Sequence, residues 1–283
     1  MTKTNNDIIC LYHGNCVDGT GAAAVIKKKY PAAECYPMQH GEPIPVPVKG
    51  KTVFIVDFSF KEDILRNLKK EAKDVFWYDH HKTVLPIYES LKWGVIDLEE
   101  SGATLTWKKE YPHERVPKIL EYVKDKDIWE WKLPYSRAIN MAIREREDIH
   151  DPGGASWQKF LKGLTAEEFQ RLVELGEAAI VSQRLRMVNG ARFGFEVDFH
   201  GHRAMAVNWS LESSEMGEYI YQDLGYEIAI IFYFTGKHWN FSLRSNQIDV
   251  SQLAAKYGGG GHAGAAGFRQ DSIEWLTQLN KKS

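Results

Sequence analysis

The stretch KTVFIVDFSFKEDILRNLKKEAKDVFWYDHH (51–81) contains a strand pattern, a helical pattern and a second strand pattern, in that order. The apolar runs at 51–59 and 74–79 are short and rich in β-branched and aromatic residues, which is typical of strands buried on both faces. The segment 61–72 between them has apolar residues at helical spacing. This succession predicts a β-α-β unit with parallel strands.

The segments before this stretch continue the same alternation. Residues 7–13 form an apolar run rich in strand-forming residues, and residues 19–30 read as a helix with lysines near its end, where positive charge suits the helix dipole. We therefore expect an α/β fold with a mostly parallel sheet and helices on both faces. The segment 41–50 holds three prolines and is expected to be a loop or a sheet edge.

The middle of the chain has a helical pattern. Segments 101–111 and 115–131 are helix candidates, and 151–157 marks a break. The segment 165–190 is predicted to be a long helix that begins with a capping box, in which Thr165 caps and Glu168 reaches back. Its length suggests a connector between domains.

The pattern changes again from about residue 191. Strand-like hairpins are predicted at 193–209 and 226–245, and shorter helices at 215–225 and 248–259. We interpret this region as a smaller α+β domain. The predicted organisation is a catalytic domain over residues 1–150, a helical connector over 151–190 and a second domain over 191–283.

Composition sets limits on partners and compartment. The 283 residues carry a formal net charge of −2, so any phosphate or nucleic acid site must be local. Three cysteines are too few for a disulfide framework and favour a reducing compartment, so we expect a cytoplasmic protein. The N-terminal residues lack a signal-peptide pattern, and no apolar run is long enough to span a membrane.

Metal-binding residue types follow the first three predicted strands. They are His13, Cys16 and Asp18 after the first strand, Asp57 after the second, and Asp79, His80 and His81 after the third. The carboxyl ends of parallel strands meet at one edge of the sheet, where ligands bind. Carboxylates and imidazoles together suit Mn²⁺, Fe²⁺, Co²⁺ or Zn²⁺ better than Ca²⁺. A carboxylate between two others could bridge two ions about 3.5–4 Å apart.

A second signal lies near the C-terminal end, in YGGGGHAGAAGF (257–268). Its glycines would expose backbone N–H groups to a ligand before His262. Upstream, Arg244 lies near a strand end, where its guanidinium could clamp a phosphate or carboxylate. A flexible loop and a structural salt bridge are the ordinary alternatives for these two features.

Taken together, these motifs resemble the DHH phosphoesterase superfamily. YDHHKT (78–83) resembles its Asp-His-His motif, LYHGNCVDGTGAAA (11–24) its first motif and FIVDFS (54–59) its second. SLRSNQIDVSQLAAKYGGGGHAGAAGF (242–268) is similar to the DHHA1 domain, including its GGGH signature. The matches extend from about residue 11 to residue 268.

The resemblance implies a site with two divalent metal ions, commonly Mn²⁺. Carried over to this sequence, it implies that His13 binds the first ion, that Asp18 and His80 bind the second and that Asp57 bridges both. It also implies one further aspartate, for which VKDKDIWEW (123–131) offers Asp125 and Asp127; we favour Asp127.

The implied catalytic residues are Asp79, which would orient His80, and His81, which would lie by the scissile phosphate. In the second domain, the implied substrate-binding residues are Arg244, Ser245, Gly259, Gly260, Gly261 and His262.

Cys16 departs from the family pattern, which has an aspartate at the corresponding place. A thiolate binds Zn²⁺ or Fe²⁺ well but is a soft ligand for Mn²⁺. Mn²⁺ is therefore the first expectation, and Fe²⁺, Co²⁺ or Zn²⁺ are the alternatives that Cys16 introduces.

The implied activity is hydrolysis of short oligonucleotides or dinucleotides to mononucleotides, with a water activated by two metal ions. The substrate would lie in a cleft between the domains. A phosphomonoesterase or polyphosphatase is the alternative enzyme, and a catalytically weakened nucleotide-binding protein is the alternative outside enzymes. The sequence leaves open the exact substrate, the polarity of any exonuclease action and the oligomeric state, a homodimer included.

Overall fold

The computed structural model describes residues 7–279, which form two compact units that divide between Ile180 and Val181. In this part of the chain, no helix combines the length and the apolar character needed to cross a membrane. The boundaries predicted at residues 150 and 190 remain a prediction.

The first unit contains a five-stranded sheet in which every paired strand is parallel. Its strands are β1 (Ile8–His13), β2 (Glu34–Met38), β3 (Thr52–Val56), β4 (Asp74–Asp79) and β5 (Val95–Ile96). The spatial order is β2-β1-β3-β4-β5. The chain turns from one side of β1 to the other after β2, so the topological switch point lies between β1 and β3. Ligands bind at this point in doubly wound sheets.

Helices cover both faces of this sheet. They are α1 (Val17–Lys29), α2 (Glu62–Glu71), α3 (Leu85–Leu91), α4 (Gly102–Glu110), α5 (Lys118–Asp127), α6 (Ser136–Arg144) and α7 (Ala155–Lys162). Strand residues such as Cys10 and Phe54 share a core with α1, α4, α5 and α7 on one face, whereas Leu11 and Ile55 share a core with α2 and α3 on the other. The predicted doubly covered parallel sheet is therefore confirmed.

The long helix α8 (Ala166–Ala191) begins as the sequence predicts. Thr165 Oγ accepts a hydrogen bond from the backbone N–H of Glu168 at 3.2 Å, and the Glu168 carboxylate accepts one from the Thr165 N–H at 2.9 Å. These reciprocal bonds are the predicted capping box. The helix extends across the division between the two units.

One helix is shorter than the sequence predicts. The pattern indicates a helix to residue 131, but α5 ends at Asp127. The buried Asp125 carboxylate accepts hydrogen bonds from the N–H groups of Lys132 and Leu133, which turns the chain back on the helix end. Trp129 and Trp131 take left-handed backbone conformations in this turn, with φ of 59° and 55°.

The second unit is built on a six-stranded mixed sheet in the order β10-β11-β9-β8-β7-β6. The strands are β6 (Phe195–Phe199), β7 (His202–Asn208), β8 (Ile228–Phe234), β9 (Trp239–Arg244), β10 (Gly260–His262) and β11 (Ala265–Gln270). Only β7 and β8 pair in parallel among the described strands of this sheet. The two predicted hairpins, β6–β7 and β8–β9, are confirmed.

Helices cover both faces of this sheet as well. α9 (Ser213–Glu218), which continues as a π-helical turn over Tyr219–Asp223, packs on one face with the end of α8. α10 (Val250–Ala255) and α11 (Glu274–Leu279) pack on the other. The predicted α+β character of the C-terminal region is therefore confirmed.

The glycine-rich segment forms part of the sheet. A flexible loop was the alternative that the sequence pattern left open for this segment. Residues 260–262 and 265–270 pair as antiparallel strands. The glycines permit this because the two backbones approach closely. A Cβ on Gly261 would lie 2.5 Å from the carbonyl oxygen of Ala265, and one on Gly259 would lie 2.1 Å from that of Gly267.

Candidate metal centre

The predicted metal ligands of the first unit meet at the switch point of the parallel sheet. His13 is the last residue of β1, Asp57 follows β3 and Asp79 is the last residue of β4. The first turn of α1 adds Asp18 to this edge, and the end of α5 adds Asp127. Five elements of the first unit therefore supply one cluster.

Asp57 lies at the centre of the cluster in an uncommon backbone conformation. Its φ is +52°, and its side chain is buried. Aspartate enters this region more readily than most residues, and such outliers concentrate at functional sites. Two glycines make room for it, because a Cβ on Gly102 would lie 2.4 Å from Asp57 Cβ and one on Gly19 would lie 3.0 Å from Asp57 Oδ2.

Two sets of donor atoms flank the Asp57 carboxylate. His13 and Cys16 lie on one side and form a set with Asp57 itself, and Asp18, His80 and Asp127 form the set on the other side. Within each set, the donor atoms lie within 4.8 Å of one another. Asp57 Oδ2 is 3.5 Å from His13 Nδ1, and Asp57 Oδ1 is 3.1 Å from His80 Nε2. The two oxygens of the Asp57 carboxylate therefore face different sets of donor atoms.

Negative charge is concentrated around His80. Its Nε2 atom is 3.2 Å from Asp127 Oδ2 and 3.8 Å from Asp18 Oδ2, in addition to its contact with Asp57. Burial alone would lower the pKa of His80, but the hydrogen bond to Asp57 and the charges of Asp127 and Asp18 raise it to about 10. Without a metal ion, a protonated imidazole thus supplies the positive charge that the three carboxylates require.

Two of these carboxylates, those of Asp18 and Asp127, are nevertheless not fully compensated. Burial, followed by the charges of Asp127 and Asp57, raises the pKa of Asp18 well above its ordinary value. This occurs although Asp18 accepts hydrogen bonds from the N–H groups of Gly102 at 2.5 Å and Ala103 at 3.0 Å, at the start of α4. Burial also raises the pKa of Asp127.

A divalent cation fits this arrangement. Asp57 Oδ2 is buried and has no hydrogen-bond partner among the residues that the structure describes. Buried polar atoms are nearly always satisfied, so such an oxygen points to an additional ligand. The mixture of imidazole, carboxylate and thiol donors suits a transition metal better than Ca²⁺.

The Cys16 thiol lies immediately before α1, within reach of His13 and Asp57. Burial raises the pKa of Cys16 well above the usual thiol value, and the charges of Asp57, Asp127 and Asp18 raise it further. The thiolate would therefore need the charge of a bound cation in order to form.

The side-chain contact of Asp79 is with His81 and not with the His80 ring that the resemblance implies. It was expected to orient His80, but its Oδ1 atom lies 2.7 Å from Nδ1 of the His81 ring. Its contact with His80 is to the backbone N–H, at 2.7 Å. Burial would raise the pKa of Asp79, but the hydrogen bond and charge of His81 together with the hydrogen bond from Ser59 lower it. The Asp79 carboxylate therefore contacts the His81 ring and the backbone of His80.

Sequence reasoning missed the residues that support Asp79. Ser59 donates a hydrogen bond to Asp79 Oδ2 and accepts one from the indole N–H of Trp77 at 2.8 Å. The only feature of the sequence that could have indicated this role is the position of Ser59, two residues after Asp57. Gly19 and Gly102 were missed as site residues because their role depends on which backbone lies against them.

The two candidate aspartates at the end of α5, Asp125 and Asp127, have different side-chain contacts. The Asp127 side chain faces His80, whereas Asp125 is used by the turn after the helix. This geometry favours Asp127 as the additional ligand in any metal site.

The second unit places Arg244 and His262 in one row of its sheet. Arg244 on β9 is directly opposite Ala265 on β11, which is directly opposite His262 on β10. Opposed residues project from the same face of a sheet, and strands are spaced about 4.8 Å apart. Arg244 and His262 therefore border a gap roughly 10 Å wide whose floor is the small side chain of Ala265.

Arg244 is held in position by neutral groups. Its guanidinium donates hydrogen bonds to the hydroxyls of Ser213 and Ser214, at 3.2 to 3.3 Å, and to the Leu243 carbonyl at 2.9 Å. Burial lowers the pKa of Arg244, and the charge of Glu215 opposes this. A partly buried guanidinium held by hydroxyl and carbonyl groups can also bind an anionic ligand.

The other predicted substrate-binding residues of this unit differ in their surroundings. The Ser245 hydroxyl donates to the Glu227 carbonyl at 2.7 Å and accepts from two backbone N–H groups, so the fold already uses it. Gly259 and Gly261 lie against β11, whereas a Cβ on Gly260 would meet no atom within 4 Å. We retain Gly260 as the glycine that leaves room for a ligand.

Known proteins are similar to this chain in sequence and in fold. Residues 208–282 match the family model of the DHHA1 domain. The oligoribonuclease NrnB of Bacillus subtilis is 26% identical to this chain, and the alignment covers 76% of this chain and 58% of that protein. This chain therefore spans less than two thirds of that relative.

Two solved structures have a similar fold. The DHH domain of PF0399, described as a member of the s1p family of ribosomal proteins, aligns with a TM-score of 0.56 at 13% identity, over 98% of this chain and 86% of that one. The pGpG-specific phosphodiesterase PggH of Vibrio cholerae aligns with a TM-score of 0.51 at 15% identity, over 97% of this chain and 96% of that one.

The resemblance of the motifs is thus confirmed by the match to the DHHA1 domain and by a fold similar to that of a known DHH domain. The C-terminal region of this chain carries the DHHA1 domain. The family relationship agrees with the buried cluster of aspartates and histidines at the edge of the parallel sheet.

Gly102→Ala should weaken metal binding without removing any ligand. The new methyl group would be 2.4 Å from Asp57 Cβ and 2.9 Å from Asp18 Oδ2, so it must displace one of these carboxylates. We expect the affinity for Mn²⁺, measured by isothermal titration calorimetry, to fall by about tenfold or more, as when groups that position a ligand are changed. Gly153→Ala is the matched control, because its methyl group meets nothing closer than 3.4 Å. Equal affinity in both variants would show that the Asp57 cluster is not the metal site.

Proposed function

We propose that this protein is a metal-dependent phosphodiesterase that hydrolyses short oligonucleotides or dinucleotides to mononucleotides. The observation that carries the proposal is the buried Asp57 carboxylate, whose two oxygens face separate sets of donor atoms. The names of two similar proteins, an oligoribonuclease and a pGpG-specific phosphodiesterase, support the choice of substrate class.

In this proposal, each set of donor atoms holds one divalent ion. His13 and Cys16 would hold the first, Asp18, His80 and Asp127 would hold the second, and Asp57 would contact both. When bound, two such ions lower the pKa of water and offset the charge on phosphoryl oxygens.

His81 would act on the oxygen that leaves phosphorus. Burial would lower the pKa of His81, but the hydrogen bond to Asp79 and the charges of Asp79 and Asp57 raise it above the ordinary imidazole value. The same bond fixes the orientation of the ring. A protonated imidazole held in this way can donate to the leaving oxygen as a general acid.

The second unit would bind the part of the substrate that is remote from the reacting phosphorus. Arg244 and His262 border a gap with exposed glycine backbone at one side, and such a gap suits a terminal phosphate. Binding energy from remote groups serves catalysis by positioning the reacting centre.

Asp57→Asn should abolish most turnover while preserving the fold. The amide keeps nearly the same shape but lacks the charge that would offset two dications. We expect dinucleotide hydrolysis in the presence of Mn²⁺ to fall by a factor on the order of 10³. Asp74→Asn changes an exposed aspartate at the other end of β4 and serves as the control. If Asp57→Asn keeps most of the wild-type rate, the proposed centre is not the active site.

Substitutions of Cys16 should change the metal preference. Cys16→Asp gives the first set only oxygen and imidazole donors, which should shift the preference from Zn²⁺ toward Mn²⁺. Cys16→Ser should weaken binding of the first ion. Turnover of a dinucleotide over a concentration series of each metal measures both effects. Identical metal dependence in all three proteins would identify Cys16 as a packing residue only.

Arg244→Ala and His262→Ala should separate substrate binding from chemistry. We expect dinucleotide hydrolysis to fall by roughly 10- to 1000-fold, because one or two charge-assisted contacts contribute about 1.5–3 kcal/mol each. Hydrolysis of bis-para-nitrophenyl phosphate should fall much less, since its leaving group departs easily. Arg203→Ala, which removes an exposed arginine paired with Glu196, is the control. Equal losses on both substrates would place Arg244 and His262 in a structural role.

A further inference from the structure

A pocket of about 480 Å³ opens beside the metal centre, on the face of the parallel sheet that α2 and α3 cover. One end of the pocket is formed by residues of the site, among them Asp57 and His81. The wall beyond them is apolar and consists of Phe58, Phe60, Ile64, Val84 and Ile87.

We propose that this pocket binds the nucleoside of the substrate's leaving group, so that the preferred substrates carry a base and a sugar on the oxygen that departs. The inference rests on the proposed phosphodiesterase function and names the group that the enzyme accepts next to the scissile phosphate. It also places this contact within the first unit, apart from the residues of the DHHA1 domain.

The chemistry of the wall favours an organic leaving group over phosphate. A polyphosphate presents only charged oxygens next to the reacting phosphorus, and an apolar wall would desolvate these oxygens without giving them hydrogen bonds. A nucleobase, in contrast, has two flat apolar faces. The flat ring of His40, which also lines the pocket, stacks on Phe58 with centroids 4.8 Å apart and planes inclined by 25°. Base–aromatic stacking of this kind is tolerant of sequence.

The size and the rim of the pocket agree with one nucleoside. Small-molecule sites range from about 300 to 1,000 Å³ and combine apolar walls with a few polar groups. Here the polar groups are Glu42, Lys61 and Thr83, all on exposed positions of the lining. They can hydrogen-bond the edge of a base or the hydroxyls of a sugar.

The position of His81 indicates which part of the substrate enters. His81 lines the same pocket and is the group proposed to donate to the leaving oxygen. Whatever is attached to that oxygen must lie close to His81. The pocket is the space that the described residues leave at that place, so the leaving nucleoside is the part of the substrate that would fill it.

Binding of adenosine, which carries no phosphate, tests the pocket independently of turnover. Ile87→Trp and Ile64→Trp place a bulky side chain in the pocket from two different helices, and both positions are only partly buried. Glu89→Trp and Asn67→Trp add the same side chain to exposed positions of the same helices. Circular dichroism establishes that each variant is folded, and titration followed by NMR measures the affinity for adenosine.

We expect both pocket variants to bind adenosine about tenfold or more weakly than the wild type, since the added side chain would occupy the space of the stacked base. The two control variants should bind it as the wild type does. Failure of the wild type to bind adenosine saturably, or equal affinity in folded pocket and control variants, would overturn the proposal.

Turnover distinguishes this proposal from the proposed function. The pocket variants should lose dinucleotide hydrolysis, whereas the control variants should not. If wild-type protein binds adenosine in the pocket but hydrolyses no dinucleotide with any divalent metal, the proposed phosphodiesterase function is wrong, whereas the assignment of the pocket as a nucleoside site stands. If wild-type protein hydrolyses dinucleotides and Ile87→Trp and Ile64→Trp do so equally well, the function remains and the pocket assignment is wrong.

Discussion

The carboxylate of Asp57 is the group on which the arrangement of the catalytic unit depends. It is buried at the end of β3 in a left-handed conformation, between His13 and His80 and against the backbone of Gly102. β3 lies between β1 and β4 in the sheet, so a residue at its end is the natural meeting point for ligands from both neighbours. The glycines beside Asp57 are explained by the same requirement, because any side chain at Gly102 would occupy the space of this carboxylate.

Burial of Asp18 and Asp127 beside this carboxylate leaves the site short of positive charge in the absence of a cation. The pKa values of Asp18 and His80 are both raised because the neighbouring carboxylates bring too much negative charge to the site. Removing carboxylates from water is unfavourable unless they are paired. A divalent ion would relieve the deficit, so metal binding and the stability of this sheet edge should be linked. This linkage explains why an energetically unfavourable cluster can exist in an otherwise well-packed α/β fold.

The remaining residues of the site serve orientation. Trp77, Ser59 and Asp79 form a chain of hydrogen bonds that ends at the His81 ring. Trp77 is fully buried in the core on the α2 and α3 face, so the position of His81 is fixed by the packing of the sheet itself. The apolar pocket opens on this same face. The orientation of the proposed general acid and the shape of the pocket therefore depend on the same core.

The sequence by itself determined the parallel character of the first sheet, three of its five strands, both hairpins of the second unit and the resemblance to the DHH superfamily. These features follow from local patterns. A short segment of sequence is enough to show the periodicity of a strand or a helix and the residues at a strand end. Only the tertiary structure decided that Asp79 contacts His81, that Asp125 holds a turn while Asp127 faces His80, and that Ser245 is used by the fold. It also revealed the roles of Gly19, Gly102 and Ser59. The physical reason is that each of these roles depends on which atoms from distant segments lie within a few ångströms. That proximity is set by packing across the sheet, and no pattern within a single segment carries it.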